Sequence, residues 1–372
     1  MLGRVAIRIE PAEACRDLNS NRVFRLAIAA IVAIAATGSA AADCTALTNQ
    51  TIRWLVPSKP GGAYDSYSRL LQPYLEQQLQ AQIVIENRQQ AGGIVAALTV
   101  RDAVADGKTL GIINAPGLLA AHMASDNPAP DPLQDFTIIA RVASSSMFLF
   151  TGRDSGIADI HDLLQISATR PVVIGVRDLG SSSFFAVPIM ASLLGLNYTV
   201  VTGYIGSTTR VLAAMRGEVD VIIQNLDSVK RYVDAGELHP LLQISGPAAH
   251  TLQATHEVPD LRRPGWLAQA GLEVSGTTAT GADQTAAALS DIISAGRLIV
   301  APAGLDDATR TCLQTTVLSV LQSEEFINAA NQAGLTIQAA DAATAMEGLQ
   351  AGKRHMSDFR VLVRSAIEEA RQ

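Results

Sequence analysis

Strand and helix patterns alternate twice along this chain, and that alternation limits its fold more than any other feature. In the first block, residues 52–56 (IRWLV) read as a short buried strand closed by Pro57. Pro60-Gly61-Gly62-Ala63 forms a turn. Apolar residues at 70, 71, 74, 75 and 79 then lay a stripe along a helix spanning 65–79. Residues 83–85 make a second strand. Gly92-Gly93 opens a helix over 94–105, Asp106-Gly107 ends it, and 109–113 is a third strand. The order β-α-β-α-β predicts a parallel sheet with helices on its faces.

After a Pro-rich connector at 126–132 (DNPAPDP), strands are predicted at 136–142 and 147–151. The alternation then restarts. Helices are expected at 159–167, 182–194, 207–216 and 227–235, with strands at 172–175, 198–201, 219–223 and 239–244. Residues 258–265 (VPDLRRPG) form a loop. Beyond it lie one strand candidate at 298–301 and three helices near 306–321, 323–333 and 342–372. Too few strands remain for a third sheet, so the tail is expected to return to the first. The prediction is an α/β fold of two lobes, each a sheet flanked by helices, joined by crossover strands that act as a hinge. Residues 43–142 with 268–372 would form lobe 1, and 143–267 lobe 2. This is the two-lobe, Venus-flytrap architecture of periplasmic binding proteins.

The first 42 residues are expected to lie outside that fold. Arg22 and Arg25 precede an uncharged apolar run at 26–36 (LAIAAIVAIAA), and Thr37-Gly38-Ser39 breaks it. Ala40-Ala41-Ala42 follows as an A-x-A site, so the segment reads as a secretory signal peptide cut before Asp43. A membrane anchor is the alternative, but the run is too short for a hydrocarbon core of roughly 30 Å. The polar stretch 1–21 is long for the start of a leader, and initiation at Val23 would give one of ordinary shape. Asp43 stands before Cys44 where a lipidation site needs a small apolar residue.

Loss of that leader removes Cys15 and leaves Cys44 and Cys312. An even pair in an exported protein reads as a disulfide, with two buried thiols as the alternative. No C-x-x-C is present, so neither a redox nor a zinc site is indicated. The net charge of −7, deepening to −9 without the leader's five arginines and three acids, argues against nucleic acid as a partner.

Four loops that enter helices are the candidate binding elements. The first is Ser58-Lys59-Pro60-Gly61-Gly62-Ala63-Tyr64-Asp65. Glycines before a helix let backbone N–H groups point at an anion, and the helix dipole favours negative charge there. Lys59, one of four lysines against 24 arginines, adds a cation. G-x-x-x-x-G-K-[ST] is absent, so nucleotide binding is not indicated. The others are Gly92-Gly93, Ser181-Ser182-Ser183 and Gly206-Ser207-Thr208. Each piece taken alone is equally an ordinary βα turn or N-cap. Their recurrence at the same place in both halves points to one cleft. Asp65 and Asp227 are placed to hydrogen-bond in it.

Catalytic patterns are lacking. There is no G-x-S-x-G, and the six histidines show neither H-E-x-x-H nor a paired metal spacing. His250 and His256 lie in a polar loop, and Glu324-Glu325 and Glu368-Glu369 read as surface charge. Trp54 and Trp266 read as core, though Trp266, in a Pro-Gly loop, could reach the cleft rim.

Six segments in order resemble a known family: VPSKPGGAYD (56–65), IENRQQAGG (85–93), DGKTL (106–110), GSTTRVLAAMRGEVDV (206–221), DAGELHPLL (234–242) and RLIVAPAGLDD (297–307). They resemble the substrate-binding receptors of tripartite tricarboxylate transporters, the Bug receptors. The resemblance implies a periplasmic flytrap, without cofactor or catalysis and monomeric, that captures a small carboxylate for the permease subunits of a membrane transporter. It implies that Gly61, Gly62 and Asp65 on one lobe and Ser181–Ser183 on the other hold the carboxylate, partly through N–H groups and waters. Three segments depart from the family's pattern: Ser58-Lys59, Gln89-Gln90 and VPDLRRPGW. Lys59 is expected to contact a second carboxylate. A receptor that signals to a membrane sensor, and an enzyme on the same fold, are the rival readings.

Overall fold

The computed structural model describes residues 44–124, 129–178, 181–204, 206–246, 258–272 and 278–369. The leader, Leu179, Gly180, Ile205, His250, His256 and the first part of the DNPAPDP connector lie outside the described residues.

Two five-stranded mixed sheets organise the chain. The first is built from β1 (Thr51–Val56), β2 (Gln82–Asn87), β3 (Thr109–Asn114), β4 (Phe136–Ala143) and β10 (Arg297–Pro302), in the order β2-β1-β3-β10-β4. The second is built from β5 (Met147–Gly152), β6 (Val172–Gly175), β7 (Tyr198–Val201), β8 (Val221–Asn225) and β9 (Leu238–Gln243), in the order β7-β6-β8-β5-β9. In each sheet three parallel strands are followed by an antiparallel one. That strand is β10 in the first sheet and β5 in the second. Strand β5 opens the second sheet directly after the crossing from β4, and β10 brings the chain back to the first sheet once the second is complete.

The crossing segments run side by side. Ser245 Oγ donates to the Ser145 carbonyl at 2.7 Å, and the Ile244 N–H donates to the Met147 carbonyl at 2.8 Å. These bonds satisfy backbone groups that leave one sheet before they enter the next.

Helices α1 (Ala63–Leu79) and α2 (Ile94–Arg101) follow β1 and β2. In the second half α4 (Ile160–Thr169), α5 (Ser182–Leu194), α6 (Ser207–Met215) and α7 (Leu226–Asp234) alternate with strands in the same way. Strand β5 shows why both faces must be covered. Met147 and Leu149 pack into the core around α5, while Phe148 and Phe150 pack into the core formed with α6 and α7. Period-two alternation sends successive side chains to opposite faces, so a strand buried on both is apolar throughout.

Two helices longer than a single turn were not predicted. One is α3 (Ala115–Ala124), which opens on Pro116-Gly117. Proline is tolerated in a first turn, where its missing N–H would be unpaired anyway. The other, after the short α8 (Trp266–Gln269), is α9 (Ala279–Ser294), whose alanine-rich stripe carries little hydrophobic signal. The chain ends with α10 (Asp307–Gln322), α11 (Glu324–Gln332) and the long α12 (Ala342–Glu369). Of the tail, β10 enters the first sheet and α10 packs on β4 and α1. Helices α9 and α12 pack on each other and also reach α5 beside the second sheet. Met356 and Phe359 of α12 share a core with Phe184 and Phe185. Trp266 is buried in that same core, and Trp54 is buried beneath α1, donating from Nε1 to Ser68 Oγ at 3.0 Å.

Cys44 and Cys312 form a disulfide, with Cα atoms 5.3 Å apart across a sequence separation of 268. It fastens the start of the described chain to α10.

Candidate functional site

A cleft of about 360 Å³ lies where the two sheets present the starts of their helices. On the first-sheet side the chain turns between β1 and α1. Gly61 takes a left-handed φ of +76°, which glycine adopts without a Cβ clash. Its N–H then donates to Asp65 Oδ2 at 2.9 Å. The other oxygen of Asp65 accepts from Asn87 Nδ2 at 2.9 Å, and Asn87 Nδ2 also lies 2.8 Å from the Ser58 carbonyl. Arg69 Nε donates to Asp65 Oδ2 at 2.8 Å. Burial opposes ionisation of Asp65, yet these hydrogen bonds from Arg69, Gly61 and Asn87 hold its carboxyl below the ordinary range. Asp65 is therefore an internal brace. Gly62, the N-cap of α1, offers no side-chain cap, and Gly62, Ala63 and Tyr64 line the cleft. The uncapped first turn of α1 is thus presented to an occupant.

On the second-sheet side three helices begin at the cleft. Ser181 caps α5 by accepting from the Phe184 N–H at 3.2 Å, and its hydroxyl lies 2.7 Å from the Asp178 carbonyl and 2.9 Å from Ser183 Oγ. Gly206 and Asn225, the N-caps of α6 and α7, provide no side-chain cap. Gly206 stands at φ +93°, and a Cβ there would come within 2.7 Å of Lys59 Cε. Its lack of a side chain lets Lys59 reach across from the opposite wall.

Charged side chains complete the site, and three of them were not foreseen. Arg177, Arg210 and Arg297 all line the cleft with Lys59. Arg177 bonds Asp178 at 3.0 Å and approaches the Pro57 carbonyl to 3.4 Å across the cleft. Arg297 is 1% exposed and pairs with Asp227 at 2.8 Å. Its guanidinium also lies over the rings of Tyr64 and Tyr67, at 5.3 and 5.0 Å. Burial opposes its charge, but Asp227 and the two tyrosines keep the guanidinium more firmly protonated than usual. Tyr67 Oη lies 2.9 Å from both Asp227 Oδ2 and the Thr336 carbonyl, and burial next to Asp227 pushes its phenol well up. Arg210 is 5% exposed, with Nη2 donating to Gln224 Oε1 at 2.7 Å. Burial, with Arg177 close by, pulls it down to about 9.

Of the residues read from the sequence, Ser58, Lys59, Gly62, Tyr64, Ser181, Ser182, Ser183, Gly206 and Ser207 line the cleft. Gly61, Asp65, Gly92, Gly93, Thr208 and Asp227 do not. Gly61 and Asp65 are bonded to each other, and Asp227 is bonded to Arg297 and Tyr67. Gly92 and Gly93 border a separate cavity of about 10 Å³, where a Cβ on Gly93 would come within 2.4 Å of Pro57 Cβ. Their work is close packing under the turn. One pattern could have exposed Arg210. Ser207, Arg210, Val211 and Ala214 fall on one helical face, and an arginine on a buried stripe is out of place unless something pairs with it.

Two α/β sheets joined by crossing segments, with helix N-termini and cations turned onto a cleft between them, define a solute-binding receptor. The model for the tripartite tricarboxylate transporter family receptor matches residues 67–268, and the chain belongs to that family. It is 28% identical over 231 residues to a UPF0065 protein from the tcbD-tcbE intergenic region of Pseudomonas sp. strain P51, covering 61% of this chain and 68% of the relative. It is 26% identical over 246 residues to protein BugT of Bordetella pertussis, covering 65% and 75%. Among solved structures, R. palustris Rpa4515 with adipate superposes with a TM-score of 0.66 at 22% identity, covering 85% of this chain and 97% of that one. That likeness is one of fold.

Proposed function

We propose that this chain is an exported periplasmic receptor that captures a small carboxylate and delivers it to the permease of a tripartite transporter. One observation carries the reading. Three helix starts without side-chain caps, at Gly62, Gly206 and Asn225, converge with Lys59 and three arginines on one cleft. Helix starts without side-chain caps and fixed cations together favour an anion. A cleft of about 360 Å³ suits a small organic molecule. The family supports delivery to a membrane transporter, and the adipate held by the structural neighbour supports a carboxylate. The apolar run at 26–36 and the Cys44–Cys312 disulfide support export with removal of residues 1–42, because disulfides persist in oxidising compartments. Binding would close the lobes about the crossing segments near Ser145 and Ser245.

The test is a thermal-shift screen of chain 43–372, unfolded with its disulfide intact to strip ligand and then refolded. The panel holds mono-, di- and tricarboxylates, aromatic acids, amino acids and neutral sugars. A ligand at 100-fold excess over its Kd stabilises the folded state by about 2.7 kcal/mol. A rise in Tm with a carboxylate is expected. A rise with sugars alone would overturn the assignment.

A further inference from the structure

The long helix α12 belongs to neither sheet alone. In its first half Ala345 and Leu349 are buried in the core of the first sheet with Phe136, Ile138 and Leu298. In its second half Met356, Phe359, Val363 and Ile367 are buried in the core of the second sheet around α5. One helix of 28 residues, about 42 Å long at 1.5 Å per residue, therefore spans both cores. None of its described residues lines the cleft. At the passage from one core to the other it carries Gly348 and Gly352. Glycine inside a helix is less stable than alanine, because its backbone gives up more freedom. Packing does not require either one. A Cβ on Gly348 would meet no atom within 4 Å, and one on Gly352 would rest 3.4 Å from Ile292 Cα, an ordinary contact. Beside them Lys353 Nζ donates to Asp131 Oδ2 at 2.8 Å. Asp131 is buried in the turn before β4, where its other oxygen accepts from the Leu133 N–H at 2.9 Å, and His122 Nε2 of α3 stands 3.5 Å from Oδ2. The pair ties the middle of α12 to the first-sheet side.

A change of angle between the sheets, about the crossing segments at Ser145 and Ser245, must either bend α12 or drag half of it across a core. Close-packed cores resist sliding, whereas a helix with interior glycines yields at them. We propose that α12 is a strap across the hinge. It flexes at Gly348 and Gly352, and the Lys353–Asp131 pair pins it so that the lobes keep the separation seen here. The inference concerns how the lobes move and holds whatever solute the cleft takes, so its failure and that of the carboxylate reading are separate.

Electron-spin distance measurement tests it without any ligand. Labels are placed at Val84→Cys on β2 and Thr199→Cys on β7, exposed positions on the strands farthest from the crossing in each sheet. The labelled chain is then stripped of ligand as above, its native disulfide intact. Lys353→Met should shift the distance distribution to longer values and broaden it, and Lys353→Arg, which can keep the pair, should restore most of the wild-type distribution. The double variant Gly348→Ala with Gly352→Ala should narrow the distribution and raise Tm. Circular dichroism confirms that each variant is folded. Should Lys353→Met fail to fold, Asp131→Asn breaks the same pair with less change of shape. A purely structural α12 would alter Tm in these variants and leave the distances alone. That result overturns the inference, as does an unchanged distribution in either the pin variant or the alanine variant, or a shift in the opposite sense in either.

Discussion

The two walls of the cleft meet an anion by different means. The first-sheet wall is a turn whose shape is locked from behind by Asp65, Asn87 and Arg69, so that it offers backbone and one flexible lysine. The second-sheet wall offers hydroxyls and guanidinium groups, with Arg210 buried and in no ion pair among the described residues. A backbone site binds through preset geometry and is tolerant of what the acid is attached to. A side-chain site binds through charge and is selective for where a second acid lies.

The largest expected effect is at the contact that joins the walls. Asp227→Asn leaves Arg297 buried without its acid, and loss of one partner of a buried pair costs about 3–5 kcal/mol. Urea unfolding should show a matching drop in the midpoint. A loss under about 1 kcal/mol would mean that the aromatic rings of Tyr64 and Tyr67 suffice to hold Arg297.

Next is the brace. Asp65→Ala removes the acceptor of the Gly61, Asn87 and Arg69 bonds and should cost about 1–3 kcal/mol. It should weaken mono- and diacids alike, because the whole first wall loses its shape. Its pH dependence has a definite sign. The folded carboxyl is held below its ordinary value, so the unfolded chain takes up the proton first as pH falls. The brace therefore stabilises fully above the ordinary carboxylate range and loses that contribution as acid titrates it in the fold. A wild-type advantage over Asp65→Ala that does not shrink below that range would contradict the assignment.

Ser181→Ala, on the second wall, should cost about 1 kcal/mol through the lost cap of α5. Chemical denaturation measures it, and a neutral result would show that Ser183 or water takes over the Phe184 N–H.

How much of this was legible before the structure differed by region. The turn of the first wall was legible, since Pro60-Gly61-Gly62 between a strand and a helix is a local signal. The bonds of Asp65 were not, because its partners Asn87 and Arg69 come from a neighbouring strand end and the next helical turn. Helix α9 was missed since alanine and threonine give a faint stripe, and α3 since Pro-Gly reads as a breaker.

The sequence by itself determined the alternation of strands and helices, the turns that open the helices, and the pairing of two cysteines. The first two depend on residues near one another in the chain, where periodicity and φ preference act directly, and the third on there being only two cysteines once the leader is set aside. Only the tertiary structure decided that Arg177, Arg210 and Arg297 share one cleft and that Asp227 pairs with Arg297. Arg210 and Arg297 are 87 positions apart in sequence. Charge acts through space, so its meaning is set by which elements the fold brings together and not by spacing along the chain.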